Sequence, residues 1–312
     1  MKKQVFLPLL ILLVSLALSA CGAGGTGQGQ GAGVSPAADT SVQVTDMSGE
    51  VLSLPAPAAT VVALNPGDCE IVYALGAGDT LVGRGEYCDY PAAAQALPQL
   101  KSGNEINVEE LVAMKPDLVL VSPVYQNQDQ LDSLKKAGLT LAVSQASTIA
   151  QVYDSIAMIG TLLGRDAEAT ALVQEMQDTF AAVTVSGEGA GQTVYFEVSP
   201  LAWGLWTGGS GTFMDEICRM LGLTNAFADI EGWAEISQEQ VLERDPDYIV
   251  TVTMYFGEGP RPDEEIISRP GWENLEAVVN RHIYCADNDS ITRPGPRLKD
   301  AAQDLHDFVY GK

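Results

Sequence analysis

The chain is poor in the residues on which most enzymes and metal sites depend. Its 312 residues include only two histidines, and 17 lysines and arginines stand against 41 aspartates and glutamates, for a formal net charge of −24. No HExxH, GxSxG or GxxxxGK[ST] segment occurs, and no CxxC or CxxH spacing suits zinc. We therefore expect no enzyme, no resident metal and no cofactor. The alternative to a protein without catalytic activity is an extracytoplasmic enzyme.

Basic residues are too few to form a large positive surface. An acidic surface repels nucleic acid and anionic lipid, so nucleic acid is not an expected partner. It suits a basic docking surface instead. Apolar residues make up 46% of the chain, enough for one large domain or two lobes between about residue 60 and the end.

The first residues, "MKKQVFLPLLILLVSLALSAC", have the order of a secretory signal: two lysines, an apolar run, then small residues. "LSAC" resembles the lipobox of bacterial lipoproteins, in which the cysteine is acylated, and this indicates lipidation at Cys21. An ordinary signal peptide with a chance cysteine is the alternative. The Gly-rich stretch after Cys21 is typical of a flexible tether. We expect an extracytoplasmic protein, lipid-anchored to the cell membrane.

Four further cysteines, an even number, allow two disulfides in an oxidising compartment. We expect the pairs Cys69–Cys88 and Cys218–Cys285, because each pair lies within its own half of the chain. Buried free thiols are the alternative.

Apolar strands alternate with helices in both halves of the chain. Runs such as "DLVLVS" (117–122) and "DYIVTVT" (247–253) are typical of buried parallel strands in βαβ units. Between the halves, residues 166–183 have the spacing of one long amphipathic helix. The pattern predicts an α/β fold of two similar lobes bridged by one long rigid helix, with the ligand cleft between the lobes. The expected divisions are a signal peptide (1–20), a lipid-anchored tether (21–57), an N-terminal lobe (58–147), a helical segment with the inter-lobe helix (148–187) and a C-terminal lobe (188–312).

One helix–strand unit occurs twice. "INVEELVAMKPDLVLVS" (106–122) and "ISQEQVLERDPDYIVTV" (236–252) align without a gap, so that Glu109 matches Glu239 and Pro116 matches Pro246. An acidic residue in a first helical turn commonly serves the helix dipole, worth about 0.3–1 kcal/mol. Two equivalent glutamates on two equivalent lobes indicate a shared function instead.

These segments, with "VVALNPGDCEIVYALGAGDTLVGRGEYCDYPAAA" (61–94), resemble the class III solute-binding proteins of bacterial ABC importers. The resemblance covers nearly all of the chain from about residue 60. It implies a receptor for cobalamin, a ferric siderophore or haem, which partners a permease dimer with its ATPase subunits. It also implies that Glu109 and Glu239 dock into arginine pockets on the two permease subunits, with Glu110 as an adjacent competitor for that role.

Ligands of α/β sheets bind where the strands end. The loops after the predicted strands, together with Trp233, which matches an aromatic cleft position in cobalamin-binding relatives, supply the candidate ligand contacts: Asn65, Pro66, Tyr87, Tyr90, Trp203, Trp206, Trp233, Tyr255, Arg269 and Arg293. The arginines could pair with a phosphate or carboxylate.

The expected transported ligand is a metal chelate, and a corrinoid held by aromatic rings fits best. A ferric siderophore or haem is the alternative. The acidic excess disfavours anionic catecholate complexes, and only His282, His306 or a tyrosine could ligate haem iron. The segment "KSGNE" before the first glutamate helix lacks the Trp found there in some cobalamin receptors, which weighs against the corrinoid.

Overall fold

The computed structural model describes residues 40–103, 105–184, 191–252 and 260–311. The signal peptide, Cys21 and Tyr255 lie outside the described residues. Residues 40–312 form one compact unit. Within the described ranges, no helix is both long and apolar enough to cross a membrane.

The N-terminal lobe is built on a parallel sheet. Its elements are β3 (Val61–Ala63), α1 (Pro66–Ala74), β4 (Leu81–Gly85), β5 (Gln99–Leu100), α2 (Val108–Met114), β6 (Leu118–Val121), α3 (Gln128–Lys136) and β7 (Leu141–Val143). The strands lie in the order β5-β4-β3-β6-β7, and each neighbouring pair is parallel. Every residue of β6 is buried, as expected for an apolar strand that is covered on both faces.

The C-terminal lobe repeats this plan with additions. Its elements are β8 (Thr193–Glu197), β9 (Leu205–Gly208), α6 (Phe213–Met220), β10 (Thr224–Asn225), β11 (Trp233–Ile236), α7 (Gln238–Arg244), β12 (Tyr248–Thr251), α8 (Pro262–Ser268), α9 (Glu276–Val279), β13 (Ile283–Cys285), α10 (Asn288–Thr292) and α11 (Leu298–Tyr310). The parallel sheet has the order β10-β8-β12-β13, and β9 pairs with β11 in a separate antiparallel ribbon. The predicted class of two similar α/β lobes is confirmed.

Two helices, α4 (Ile149–Leu162) and α5 (Asp166–Val183), connect the lobes. The chain turns between them at Gly164, whose positive φ of 64° favours glycine. Helix α4 packs on α1 of the N-terminal lobe, and α5 packs on α11 of the C-terminal lobe. The predicted long helix is α5, and its pairing with α4 makes the bridge a helical hairpin.

The expected tether is wrong in its last part. β1 (Val42–Thr45) and β2 (Val51–Leu54) form an antiparallel hairpin that belongs to the folded unit. Exposed and buried residues alternate along β2, so one face of the hairpin packs on the core, where Leu52 and Leu54 are buried. Asp46 Oδ2 accepts a hydrogen bond of 3.0 Å from the Val143 amide. The N-terminal lobe therefore begins before residue 58.

The main apolar core is continuous across the lobes. One cluster of buried side chains runs from β3 through α4 and α5 to β8 and α11, and Val61, Ile159, Phe196 and Leu305 belong to it. Further clusters fill the outer side of each lobe. A shared core favours small hinge motions over wide opening.

The repeated helices α2 and α7 match in detail. Each has seven residues, and each begins at a side-chain cap, Asn107 or Ser237, that accepts from a backbone N–H of the first turn. Each ends at a left-handed residue, Lys115 (φ 51°) or Asp245 (φ 43°), directly before the repeated proline. The duplicated sequence thus builds the same helix twice.

The aspartate after each repeated proline explains why the Pro-Asp step recurs. Asp117 Oδ2 accepts the Thr60 amide at 2.9 Å, and Asp247 Oδ2 accepts the Thr193 amide at 2.7 Å. Each threonine hydroxyl accepts the amide of its aspartate in return. In the N-terminal lobe these hydrogen bonds fix the start of β3 beside β6, and in the C-terminal lobe they fix the start of β8 beside β12. Strands β6 and β12 are the ones that follow the repeated helices.

The four cysteines are free thiols, so the predicted disulfides are not present. Cys69 and Cys88 are buried side by side, and their hydrogen bond, with burial, raises the pKa of the Cys88 thiol. Cys218 lies on α6 beside β10, whereas Cys285 ends β13 at the other edge of the sheet. Edges three strand spacings apart are separated by about 14 Å, beyond the Cα distance of about 7 Å that a disulfide allows. The pairing of Cys218 with Cys285 is therefore wrong.

Candidate functional site

The lobes meet near the carboxyl ends of their strands. A Cβ atom on Gly67, at the start of α1, would lie 2.7 Å from the carbonyl oxygen of Pro294, so only glycine fits this approach. On the far side of the junction, the Phe213 amide donates to the Ser147 carbonyl at 2.7 Å. The loops between these contacts border the crevice in which ligands of α/β sheets bind.

An aromatic surface on the C-terminal lobe lies on the β9–β11 ribbon. Trp233 is paired with Gly208, and Glu235 is paired with Trp206. Side chains of directly opposed residues share a face, so both tryptophans and the carboxylate project from the same side. Each indole is 39% exposed, and Trp203 just before β9 is 74% exposed. Exposed tryptophans on one face are typical of a binding surface rather than of core packing.

Contacts of Trp233 place this surface beside the N-terminal lobe. Its ring lies edge-on to Phe213 at 5.6 Å between centroids. The Phe213 amide is the one that bonds to Ser147 of the N-terminal lobe. A Cβ atom on Gly208 would lie 3.2 Å from the indole of Trp233, so glycine leaves room for the ring. The predicted ligand contacts Trp206 and Trp233 thus lie together near the lobe junction.

Tyrosines form the matching aromatic group on the N-terminal lobe. Tyr87 and Tyr90 follow β4 and are about half exposed. The ring centroids of Tyr87 and Tyr125 are 6.3 Å apart, and Tyr125 follows β6. Burial raises the pKa of Tyr125, and the charge of Arg293 on the C-terminal lobe opposes that rise. The tyrosines therefore lie on the side of the N-terminal lobe that faces its neighbour.

Arg293 lies in a charged cluster that joins the lobes. Its Nη1 donates to Glu70 Oε1 at 3.1 Å and to Asp89 Oδ1 at 2.8 Å, both on the N-terminal lobe. Its Nη2 lies 2.8 Å from Asp289 Oδ1. Arg297 also pairs with Glu70 and stacks over Tyr90 at 4.1 Å. Arg293 is thus at the predicted junction, but carboxylates of the protein occupy its donors.

Three predicted ligand contacts need correction. Asn65 is buried and caps α1 by accepting the Gly67 amide, and Pro66 is buried at the first helical position. Arg269 is buried and donates to both oxygens of Glu197, at 2.9 and 3.1 Å. The same guanidinium pairs with Glu265 and stacks on Trp272 at 4.1 Å. Each of these side chains is engaged within its own lobe, where Asn65 caps a helix and Arg269 forms an internal ion pair.

A buried carboxyl lies behind the junction. Asp68, in the first turn of α1, accepts a 2.6 Å hydrogen bond from Ser144 Oγ, while its Oδ2 has no hydrogen-bond partner among the described residues. Burial raises the pKa of Asp68 to about 7. The neutral form is the one that folding favours, because the charged form loses its hydration.

Replacing Asp68 with Asn is expected to flatten the pH dependence of stability. Folding raises this pKa from 3.8 to about 7. The neutral carboxyl therefore makes its full contribution to the free energy of unfolding below about pH 4. This contribution falls by up to about 4 kcal/mol as the pH rises to about 7. The amide stays neutral, so the variant gains on the wild type as pH rises. Urea unfolding between about pH 4 and pH 8 measures the difference.

Asp117→Asn is the matched control of opposite sign. Hydrogen bonds from Thr60 lower the pKa of Asp117, so its stabilisation is present at neutral pH and is lost as pH falls through that lowered pKa. Parallel stability curves for the wild type and Asp68→Asn would contradict the buried-carboxyl prediction.

The two predicted docking glutamates are both exposed in first helical turns. Glu109 lies on α2 and Glu239 lies on α7, at equivalent positions of the repeated unit. Hydrogen bonds from its own backbone amide and from Ser237 lower the pKa of Glu239. Neither Glu109 nor Glu239 takes part in any of the ion pairs formed within the described part of the chain. Both are available to a partner.

Some residues at the junction were not found from the sequence. Glu70 and Glu235 lie there without a motif that marks them, whereas Asp89 and Tyr125 lie in the loops "EYCDYP" and "SPVYQN" that follow predicted strands. Glu70 could have been suspected, because an ionised residue inside the apolar run "CEIVYAL" needs a partner when the helix is buried. No group of three or more His, Cys, Asp or Glu in the described part of the chain is arranged to hold a metal ion.

Comparisons with known proteins agree with the two-lobed fold. A family model described as "Periplasmic binding protein" matches residues 61–290. An uncharacterized ABC transporter substrate-binding lipoprotein of Bacillus subtilis, YvrC, is 34% identical over 277 residues, which are 86% of this chain and 85% of that protein. A vitamin B12-binding protein of Vibrio cholerae is 29% identical over 272 residues, covering 83% of this chain and 92% of its own.

Among solved structures, a possible iron-binding periplasmic solute-binding protein from Staphylococcus epidermidis superposes with a TM-score of 0.69 at 30% identity. The match covers 81% of this chain and 99% of that protein. The fold and the junction define a two-lobed solute-binding protein. The chain belongs to the periplasmic binding protein family, an extracytoplasmic family.

Proposed function

We propose that the protein is the substrate-binding component of an ABC importer and that its ligand is a metal chelate, a corrinoid. The observation that carries the proposal is the pair of aromatic groups, Trp206 and Trp233 on one lobe and Tyr87 and Tyr90 on the other. Flat rings with polar edges suit a large macrocycle that has an apolar face and hydrogen-bonding substituents. The vitamin B12-binding relative supports this choice.

A ferric chelate is the second candidate. It is favoured by the iron-binding description of the Staphylococcus epidermidis structure, at 30% identity. The charges at the junction disfavour anionic chelates, because Arg293 and Arg297 are engaged by Glu70 and neighbouring aspartates. A neutral or cationic complex therefore fits better than a catecholate.

Delivery is proposed to use the two exposed glutamates. Because α2 and α7 are equivalent parts of similar lobes, Glu109 and Glu239 present like charges to a two-fold symmetric permease. Basic pockets on the permease subunits would complement them and set the orientation of docking. Energy for release would come from the ATPase subunits.

The anchor is part of the proposal. We propose that residues 1–20 are removed as a signal peptide, that Cys21 is lipidated, and that the chain up to the first hairpin serves as the tether. The support is the sequence pattern and the lipoprotein description of the Bacillus subtilis relative. A tether keeps the receptor close to a permease in the same membrane and raises its effective concentration there.

The direct test is a titration of residues 22–312 with cyanocobalamin and dicyanocobinamide, followed by tryptophan fluorescence. Ferric siderophores and haemin are titrated in parallel. We expect saturable quenching by the corrinoids at submicromolar concentration. Trp206→Ala and Trp233→Ala should each weaken binding about tenfold, or about 1.4 kcal/mol.

Val279→Ala, an exposed apolar residue on α9, is the control and should bind as the wild type does. Binding of only a siderophore or haemin would replace the corrinoid and keep the receptor. Binding of none of these chelates would contradict the proposed ligand class.

A further inference from the structure

Glu70 lies in the seam between the lobes with both carboxylate oxygens engaged. Oε1 accepts from Arg293 Nη1 at 3.1 Å and from Arg297 Nη2 at 2.6 Å, and Oε2 accepts from Arg297 Nε at 2.7 Å. The Glu70 side chain is 2% exposed, and the arginine side chains are 9% and 16% exposed. Arg297 thus binds the carboxylate through a two-pronged fork, the stronger geometry for such a pair.

All of these bonds cross from one lobe to the other. Glu70 belongs to α1, whereas Arg293 and Arg297 flank the segment between α10 and α11. The cluster also reaches the loop after β4, because Arg293 binds Asp89 and Arg297 covers the ring of Tyr90. The same loop carries the aromatic residues proposed to contact the ligand.

A solvent-open cleft of about 350 Å³ lies next to the cluster, with walls from both lobes and from α5. Its lining includes Tyr73, Tyr90, Leu172, Arg297 and Lys299. Side chains on opposite walls of a cleft do not pack against each other, so the lobes make less apolar contact there. The ion pairs beside the cleft therefore carry more of the inter-lobe contact at this point.

We infer that Glu70, Arg293 and Arg297 are positioning residues that set the separation of the lobes and hold the Asp89–Tyr90 loop against the C-terminal lobe. This inference goes beyond the proposed function, because it concerns how the lobes are held in the ligand-free protein. The inter-lobe distance that tests it can be measured without any ligand. The buried charges satisfy one another, so loss of one leaves the others unpaired in a desolvated seam. Water would then enter the seam, and the lobes would sample a wider range of separations.

The test measures the inter-lobe distance in the ligand-free protein by electron–electron double resonance. Spin labels are attached at Lys136→Cys on α3 and Glu273→Cys in the C-terminal lobe, both exposed positions. The labelled protein is residues 22–312, which exclude Cys21, and the partly exposed Cys285 is replaced by Ser. Cys69, Cys88 and Cys218 are buried and react poorly with the label.

In this background, Glu70→Gln is expected to broaden the distance distribution at least twofold in width. Arg297→Lys keeps the charge but loses the planar fork and the stacking on Tyr90, and should give a smaller broadening. Glu175→Gln is the matched control, since Glu175 pairs with Lys299 near the same seam but is 61% exposed. Its distribution should equal that of the wild type.

Circular dichroism at the labelling temperature shows that each variant is folded. A distribution of unchanged width in both Glu70→Gln and Arg297→Lys, with lowered melting temperatures, would overturn the inference and leave the cluster a stabilising element only. If Glu70→Gln does not fold, Arg297→Lys decides: broadening supports the inference, and wild-type width refutes it. None of these outcomes depends on which chelate binds.

Discussion

Replacing Glu109 and Glu239 together with alanine is expected to abolish uptake while the affinity for the ligand stays that of the wild type. The two carboxylates are exposed and lie in the first turns of equivalent helices of the two lobes. Loss of a charge that pairs with a basic pocket at an interface costs about 2–5 kcal/mol. Two such losses on one face should weaken docking beyond what transport tolerates.

Each single substitution should reduce uptake less than the double substitution does, because the remaining glutamate still docks one lobe. Uptake is measured as transport of the chelate into cells that carry the permease, and ligand affinity is measured by fluorescence titration. Both helices keep their caps, Asn107 and Ser237, so the variants should fold normally.

Glu110→Ala with Glu243→Ala is the control, because it removes the same charge from the same two helices. This pair should retain uptake. Loss of uptake in the control would assign docking to Glu110, the neighbour that competes for the role. Loss of ligand binding in the Glu109 and Glu239 double variant would refute docking and place these residues in the cleft.

Arg269→Ala is expected to destabilise the protein by about 3–5 kcal/mol. The substitution leaves Glu197 as an unpaired carboxylate, with its side chain 2% exposed, beside the exposed end of Glu265. Burial already raises the pKa of Glu197, and Arg269 opposes that rise. Without the arginine the folded-state pKa should rise further.

The sign of the pH effect follows from this rise. A carboxyl with a raised folded-state pKa loses stability as pH increases from its unfolded pKa towards the folded one. The cost of Arg269→Ala should therefore be smaller at about pH 5 than at about pH 8. Denaturant unfolding at both values, with the m-value checked, measures the free energy of unfolding.

Arg165→Ala is the control for Arg269. Arg165 forms an ion pair of 3.3 Å with Glu168, and both side chains are more than a third exposed. Exposed pairs contribute about 0–1 kcal/mol, so this variant should unfold much as the wild type does at both pH values. If the two arginine substitutions lowered the free energy of unfolding equally, burial would not determine how much the Arg269 ion pair contributes to stability.

The arginines show where sequence reasoning failed. Arg269 and Arg293 each follow a short helix and precede a Pro-Gly step, which is compatible with either a ligand site or an internal ion pair. Their partners, Glu197 and Glu70, lie 72 and 223 residues away in the chain. No local pattern connects such distant residues, because contacts between elements depend on how the sheets and helices pack.

The cysteines and the tether show the same limit. An even number of cysteines is compatible with several pairings, and only strand order shows that Cys218 and Cys285 lie at opposite sides of the sheet. The Gly-rich composition near the N-terminus predicted a tether. Its boundary was misplaced because short strands such as β1 and β2 carry too few residues for their alternation to be recognised.

The sequence alone determined the two-lobed α/β class, the duplicated helix–strand unit and the positions of Glu109 and Glu239. These features depend on local signals: apolar runs, caps, and a proline that ends a helix. Only the tertiary structure decided that Trp206 and Trp233 share one face, that Arg269 is internal and that Glu70 joins the lobes. Those facts depend on strand register and on packing between elements far apart in the chain, which local propensities do not specify.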